Sequence, residues 1–197
     1  MSSDLASRMR TFSPDEYLAI ERAAADKSEY VGGRIYNMSG GSLNHSRICV
    51  EVTGILREAL RGTGCEVVNS DMKVRTPSNS MFTYPDATVI CDQPIFHDEK
   101  RDVITNPIVI VEALSPSTED YDRGHKFLLY QQIPSLRCYV IVYQSEPRID
   151  VFVRADDGHW DQAISRGVDA AAQIPAIGCT LPLSEVYRRI EFTASGA

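Results

Sequence analysis

The sequence predicts an α/β protein built on a central mixed β-sheet flanked by helices, with a helix and hairpin before the sheet and a second hairpin after it. Three observations carry this expectation. Ile48, Val52, Ile55, Leu56, Ala59 and Leu60 fall on one stripe of period 3.6. The stretches Pro107–Leu114 and Arg137–Tyr143 are almost continuously apolar, as strands covered on both faces are, and a polar, helix-compatible stretch separates them. Short alternating segments with glycine-containing turns lie towards both ends. A chain of 197 residues, 43% hydrophobic, suits one globular domain, expected here over residues 13–190 between flexible segments at 1–12 and 191–197.

In chain order, Ser13-Pro14-Asp15-Glu16 joins an N-cap serine, a proline at the first helical position and a glutamate three residues after the cap. A helix is expected from Pro14 to about Ala25. Gly32-Gly33 between Tyr30-Val31 and Arg34-Ile35-Tyr36 predicts a hairpin, because glycine accepts the positive φ angles of a tight turn. The striped segment then reads as a helix capped by Asn44 and ended by Gly62 and Gly64. From Cys65 the period becomes that of strands: Glu66–Thr76, Thr83–Cys91 and Pro107–Leu114. A capped helix over Ser117–Ile133 followed by a strand over Arg137–Tyr143 implies a right-handed parallel crossover. Ile149, Val151 and Val153 alternate with Asp150, Phe152 and Arg154, and Asp156-Asp157-Gly158 turns the chain towards Trp160–Ser165, a peripheral hairpin. Leu183–Ile190 closes the chain as a helix.

Several classes are disfavoured. No run approaches the roughly 20 apolar residues of a membrane-spanning helix. Met1–Arg10 is polar and lacks a signal-peptide pattern, so a cytoplasmic location is expected. Five widely spaced cysteines, Cys49, Cys65, Cys91, Cys138 and Cys179, match neither a disulfide framework nor a zinc cluster and are expected as reduced thiols. A net charge of −7 disfavours a protein that coats nucleic acid through bulk positive charge, but carboxylates holding a divalent cation make a site locally electropositive. Arg57, Arg61, Lys73, Arg75, Lys100, Arg101 and Arg123 are candidate phosphate contacts only if they share a rim. Scattered solvated charge is the default for them.

Charges at the ends of apolar strands are the candidates for chemistry. Asp86 follows Tyr84-Pro85, and Glu112 ends the run Ile108-Val109-Ile110-Val111. A carboxylate beside such a run demands a cation, a proton or several donors. If the two strands are neighbours, Asp86 and Glu112 can chelate one hard cation, Mg²⁺ or Mn²⁺. Lys126 on the next helix would then orient or deprotonate the attacking water, or stabilise the charge developing on the pentavalent phosphorus. The plainer alternative is a Glu112–Lys126 ion pair with Asp86 capping a turn, and spacing alone leaves both open. His45, Glu29 and Asp71 are secondary candidates. His45 at a helix start could reach phosphate or assist proton transfer but is more often structural, Glu29 could add an outer carboxylate to the metal but is expected to pair with Lys27 or Arg34, and the face of Asp71 is undetermined. Tyr121 and Tyr130 are read as shaping the cleft or packing in the core. Ser115 and Ser117 are read as capping residues, since no G-x-S-x-G elbow accompanies them.

The segments Lys27–Gly33, Asn44-His45, Ser70-Asp71-Met72, Tyr84-Pro85-Asp86, Val111-Glu112-Ala113-Leu114-Ser115-Pro116-Ser117-Thr118 and Tyr121-Asp122-Arg123-Gly124-His125-Lys126 together resemble the Uma-two family of endonucleases, within the PD-(D/E)XK nuclease superfamily. The resemblance runs from Ser13 to about Ile190. It implies a restriction-endonuclease-like core, a divalent metal, hydrolysis of DNA phosphodiesters, and a homodimer that sets two sites against one duplex. Pro85-Asp86 matches the PD element and Glu112 the acidic residue of (D/E)XK. Leu114 stands where that element carries lysine, and Lys126 of the D-R-G-x-K segment takes the role instead. The competing expectation is an inactive nuclease-fold DNA-binding or scaffold protein whose Asp86, Glu112 and Lys126 form only an ion-pair network. A hydrolase of small phosphoesters is a third class, which a cleft too narrow for a duplex would favour.

Overall fold

The structure, a computed structural model, describes residues 10–114 and 121–192. The expected caps at Ser115 and Ser117 and most of the expected flexible ends lie outside the described residues. Helix α1, Pro14–Ala23, opens on the capping box read from the sequence, with the Ser13 side chain accepting from the Glu16 amide and Glu16 returning to the Ser13 amide. The hairpin β1, Ser28–Val31, and β2, Arg34–Asn37, turns through Gly32 at φ 54° and Gly33 at φ 89°. Helix α2, Leu43–Ala59, buries Ile48, Val52 and Leu56. Its cap is Ser42, whose hydroxyl accepts from the His45 amide, rather than Asn44.

Two expected strands are each divided. The first becomes β3, Cys65–Asn69, and β4, Lys73–Arg75; the second becomes β5, Met81–Thr83, and β6, Ala87–Cys91. Then follow β7, Val103–Ile104, and β8, Val109–Ala113. A single π-helical turn, Asp122–Lys126, runs into the short helix α3, Phe127–Tyr130. Strands β9, Cys138–Val142, β10, Arg148–Arg154, and β11, Trp160–Arg166, come next. The chain closes with β12, Ala171–Ile174, β13, Cys179–Pro182, and a short helix α4, Leu183–Val186. The β12–β13 hairpin was not expected.

The divided strands have a topological cause. The order β2-β1-β5-β4-β7 forms one sheet and β11-β10-β9-β8-β6-β3 another, so the chain changes sheet between β3 and β4 and again between β5 and β6. Tyr84-Pro85-Asp86 is the second of these transfers. Pro85 has no N–H to give a ladder, which suits it to a break. In the larger sheet β8 pairs antiparallel with β6 and parallel with β9, the expected crossover pairing, while the β10–β11 hairpin extends this sheet instead of standing apart from it. One face of this sheet packs against α2, the β12–β13 hairpin and α4 through Val109, Val111, Val140 and Leu181. Ile110, Tyr139 and Ile141 pack on the other face with Phe127, Tyr130 and, from the smaller sheet, Val74 and Met81. No helix is long and apolar enough to cross a membrane.

The expectation of five free thiols is corrected. Cys65 and Cys91 are direct partners in the β3–β6 ladder and form a disulfide, while Cys49, Cys138 and Cys179 are free. Only the register brings together residues 26 apart in sequence.

A polar network ties α1 to the smaller sheet. Tyr84 Oη donates to Glu21 at 2.6 Å and accepts from Lys73 Nζ at 3.2 Å, and Lys73 pairs with Asp102 at 3.0 Å. Asp102 also receives Arg22 at 2.7 Å. Hydrogen bonds from Arg22, partial burial opposing, and then Lys73 hold the Asp102 carboxyl well below its ordinary 3.8. A depressed folded pKa places this stabilisation above the unfolded value, so it is lost as pH falls below about 3.8. Asp102→Asn should cost about 1–3 kcal/mol at neutral pH by leaving buried Lys73 short of its charge partner, and the cost should vanish in acid melts.

Candidate active site

The transfer at Tyr84-Pro85-Asp86 places the larger sheet's β6 and β8 beside the smaller sheet's β1, and a cleft of about 500 Å³ opens at this seam. Glu29, His45, Asp86, Glu112, Asp122 and Lys126 all line it. Continuing the β6–β8 register by one position beyond the Ala87–Val111 pair sets Asp86 opposite Glu112. Alternation along β8 sends Val109, Val111 and Ala113 to one side and Ile110 and Glu112 to the other. Glu112 therefore faces the layer that carries α3.

Lys126 ends the π-helical turn and reaches back into this layer. Its Nζ lies 2.9 Å from Glu112 Oε1, 3.3 Å from Glu29 Oε1 and 3.5 Å from Asp122 Oδ1, with only 5% of the residue exposed. Tyr130, one turn later, donates to the same Glu112 oxygen at 2.7 Å. Thr83 Oγ1 and, at 3.3 Å, the Tyr84 amide donate to Glu29. Asp86 is held from two sides: the Ala113 amide donates to Oδ2 at 2.7 Å, and His45 Nε2 stands 3.1 Å from Oδ1. Gln144 donates to the Leu114 carbonyl and lies 3.3 Å from His45 Nδ1.

Burial pushes Glu112 up to about 8, with Asp122, Asp86 and Glu29 adding to the rise and Lys126 opposing it. Burial works against the Lys126 ammonium too, but Glu112 first, and then Glu29, Tyr130 and Asp122, hold it protonated well above 10.5. The hydrogen bond to Asp86 raises His45, with burial opposing. Among the described residues the cleft is lined by one ammonium and four carboxyl groups, three of them within 3.5 Å of that ammonium. Such a donor set suits a hard dication, whose charge offsets the excess.

The structure brings Asp86, Glu112, Lys126, His45 and Glu29 to one cleft. Asp71 is not among them; it pairs with Lys27 on the surface, which also leaves Glu29 to Lys126 rather than to the expected Lys27 or Arg34. The basic candidates do not share a rim either. Lys73 is buried against Asp102, Arg61 pairs with Glu58, and no arginine lines the cleft among the described residues. Cys49, Thr83 and Gln144 escaped the reading. Cys49 stands four residues after His45, a one-turn spacing that marks a shared helix face.

Because the folded pKa of Glu112 is raised, its neutral form contributes stability in full below the ordinary 4.5, and this is lost as pH rises through about 8. Glu112→Gln removes that dependence. In chelated buffer, the melting temperature of Glu112→Gln relative to the wild type should rise between about pH 5 and about pH 9; a constant offset would refute the raised pKa.

Comparisons with known proteins agree with this architecture. The profile of the Uma2 family, described as "Putative restriction endonuclease", matches residues 14–184. The uncharacterized protein slr1290 of Synechocystis sp. (strain ATCC 27184 / PCC 6803 / Kazusa) is 39% identical over 181 residues, covering 91% of this chain and 93% of its own. A second protein of that strain, the uncharacterized sll1609, is 33% identical over 145 residues, 74% of this chain and 82% of its own. A crystal structure titled as a "putative nuclease belonging to DUF820" from Anabaena variabilis superposes with a TM-score of 0.74 at 16% identity, over 90% of this chain and 98% of that one, a likeness of fold. With the family profile spanning nearly all of the described chain, and relatives aligned over most of their length, this protein belongs to the Uma2 family.

Proposed function

We propose that this protein is a metal-dependent endonuclease that hydrolyses phosphodiester bonds of DNA, with Asp86 and Glu112 as ligands of Mg²⁺ or Mn²⁺ and Lys126 as the group that positions water. The observation that carries this reading is the buried Lys126 ammonium 2.9 Å from Glu112, in a cleft shared with Asp86, although Leu114 occupies the usual lysine position. The oxygen donors and the surplus of negative charge fit a hard dication. When bound there, such an ion supplies Lewis acidity and lowers the pKa of a bound water.

The chain's own residues have separable tasks in this reading. Tyr130 and Lys126 hold Glu112 in one orientation, and the Ala113 amide and His45 do the same for Asp86. Neighbouring carboxyl groups favour the ammonium form of Lys126, which in this reading orients water through its N–H groups and offsets charge that develops on the phosphoryl oxygens. Tyr121 lines the cleft, and its buried hydroxyl has no hydrogen-bond partner among the described residues. A twofold homodimer would present two such clefts to the two strands of a duplex.

One observation favours the inactive binding or scaffold reading: Glu112 Oε1 already receives both Lys126 and Tyr130. Cleavage of supercoiled and linear DNA with Mg²⁺, Mn²⁺ or EDTA separates the two. Metal-dependent nicking should fall by about 100-fold or more in Asp86→Ala and in Lys126→Met, the scale of removing one electrostatic contact in a catalytic site. Circular dichroism should show both variants folded. Equal background from folded wild type and variants would establish the inactive reading.

A further inference from the structure

Beside Asp86, on helix α2, lies a second group of a different chemical character. His45 and Cys49 are four residues apart on α2 and so share one face, one turn apart. His45 Nε2 is 3.1 Å from Asp86 Oδ1 and 3.5 Å from Cys49 Sγ, and the ligand atoms of all three residues lie within 4.8 Å of one another. A tetrahedral zinc ion with bonds of about 2.0–2.3 Å separates its ligand atoms by about 3.3–3.8 Å. Two of these separations are already close to that edge length.

We propose that His45 Nε2, Cys49 Sγ and Asp86 Oδ1 form a binding site for a thiolate- and imidazole-preferring divalent cation of the zinc class, with its fourth position open to the cleft. The site shares Asp86 with the carboxylate set of the nuclease reading but differs from it in its other two ligands and in the metal it selects, and it stands whether or not the protein cleaves DNA.

Four features support it. Imidazole and thiolate select Zn²⁺ and its congeners over Mg²⁺, which requires oxygen. Charge closes: a dication with one carboxylate, one thiolate and a neutral imidazole is neutral, as a partly buried site requires, and the displaced thiol proton leaves to solvent. Backbone holds the ligands in place. The Ala113 amide on Oδ2 leaves Asp86 Oδ1 turned to His45, and the His45 ring packs so closely over Gly41 that a Cβ there would lie 2.5 Å from its Cδ2. Finally, Gln144, itself accepting from Ser42 at 2.8 Å, lies against His45 Nδ1. Held by Ser42 and by the Leu114 carbonyl, Gln144 fixes the His45 ring from its Nδ1 side while Nε2 faces Asp86 and Cys49.

Co²⁺, a spectroscopic stand-in for zinc, provides the test, with purified full-length protein titrated alongside Cys49→Ser, Asp86→Asn and Glu112→Gln. The wild type should develop a sulfur-to-cobalt charge-transfer band and tetrahedral visible absorption, both bleached by Zn²⁺ and not by Mg²⁺. Cys49→Ser, which exchanges one atom and leaves the nuclease carboxylates untouched, should lose the charge-transfer band. Asp86→Asn should weaken binding by about 10–100-fold, at least what losing an outer partner costs. Glu112→Gln should keep the band. No band in the wild type overturns the site. So does a band that persists in Cys49→Ser, which would belong to Cys138 or Cys179, and so does its loss in folded Glu112→Gln.

Discussion

A buried ammonium is the constraint around which this molecule is arranged. Lys126 is almost wholly removed from water, and a lysine in that position is tolerable only if fixed carboxylates replace its hydration. Glu112, Glu29 and Asp122 do so from β8, β1 and the π-helical turn. Three separate segments must therefore arrive at one point. The π-helical turn, with its extra residue per turn, is the local distortion that delivers Lys126, in keeping with the concentration of such turns at functional sites.

That meeting point exists because the chain changes sheet. β5 belongs to the smaller sheet and β6 to the larger, and the link between them carries Asp86. Tyr84 anchors the link from the far side, through Glu21 and Lys73. The network that secures α1 to the smaller sheet thus also sets where Asp86 emerges, and the cleft inherits its rigidity from packing on both sides of the seam. The free energies of such polar networks are modest singly, but the loss of one partner leaves the others buried and unsatisfied.

Asp86 is the hinge of the chemistry as well as of the fold. It shares the cleft with oxygen donors and Lys126, and it lies against an imidazole and a thiol on α2. The two donor sets differ in softness, and a single carboxylate stands between them. The acidic net charge of the chain does not by itself set the field in such a cleft, because a dication held by carboxylates would make it locally electropositive.

Much of this was legible in one dimension. The capping box at Ser13, the glycine hairpin, the α2 stripe and the apolar runs of β8 and β9 follow from periodicity and local hydrogen bonding, which depend on near neighbours. Asp86 and Glu112 announced themselves as charges that apolar strands have to justify, and Lys126 followed through the family's D-R-G-x-K segment. The rest needed the third dimension. A period-two pattern says which residues share a face but not which strand lies opposite, so it could neither divide Glu66–Thr76 between two sheets nor pair Cys65 with Cys91. It could not choose Lys126 over Lys27 for Glu29, nor set Cys49 and His45 against Asp86, because those choices belong to the register and packing that bring distant segments into contact.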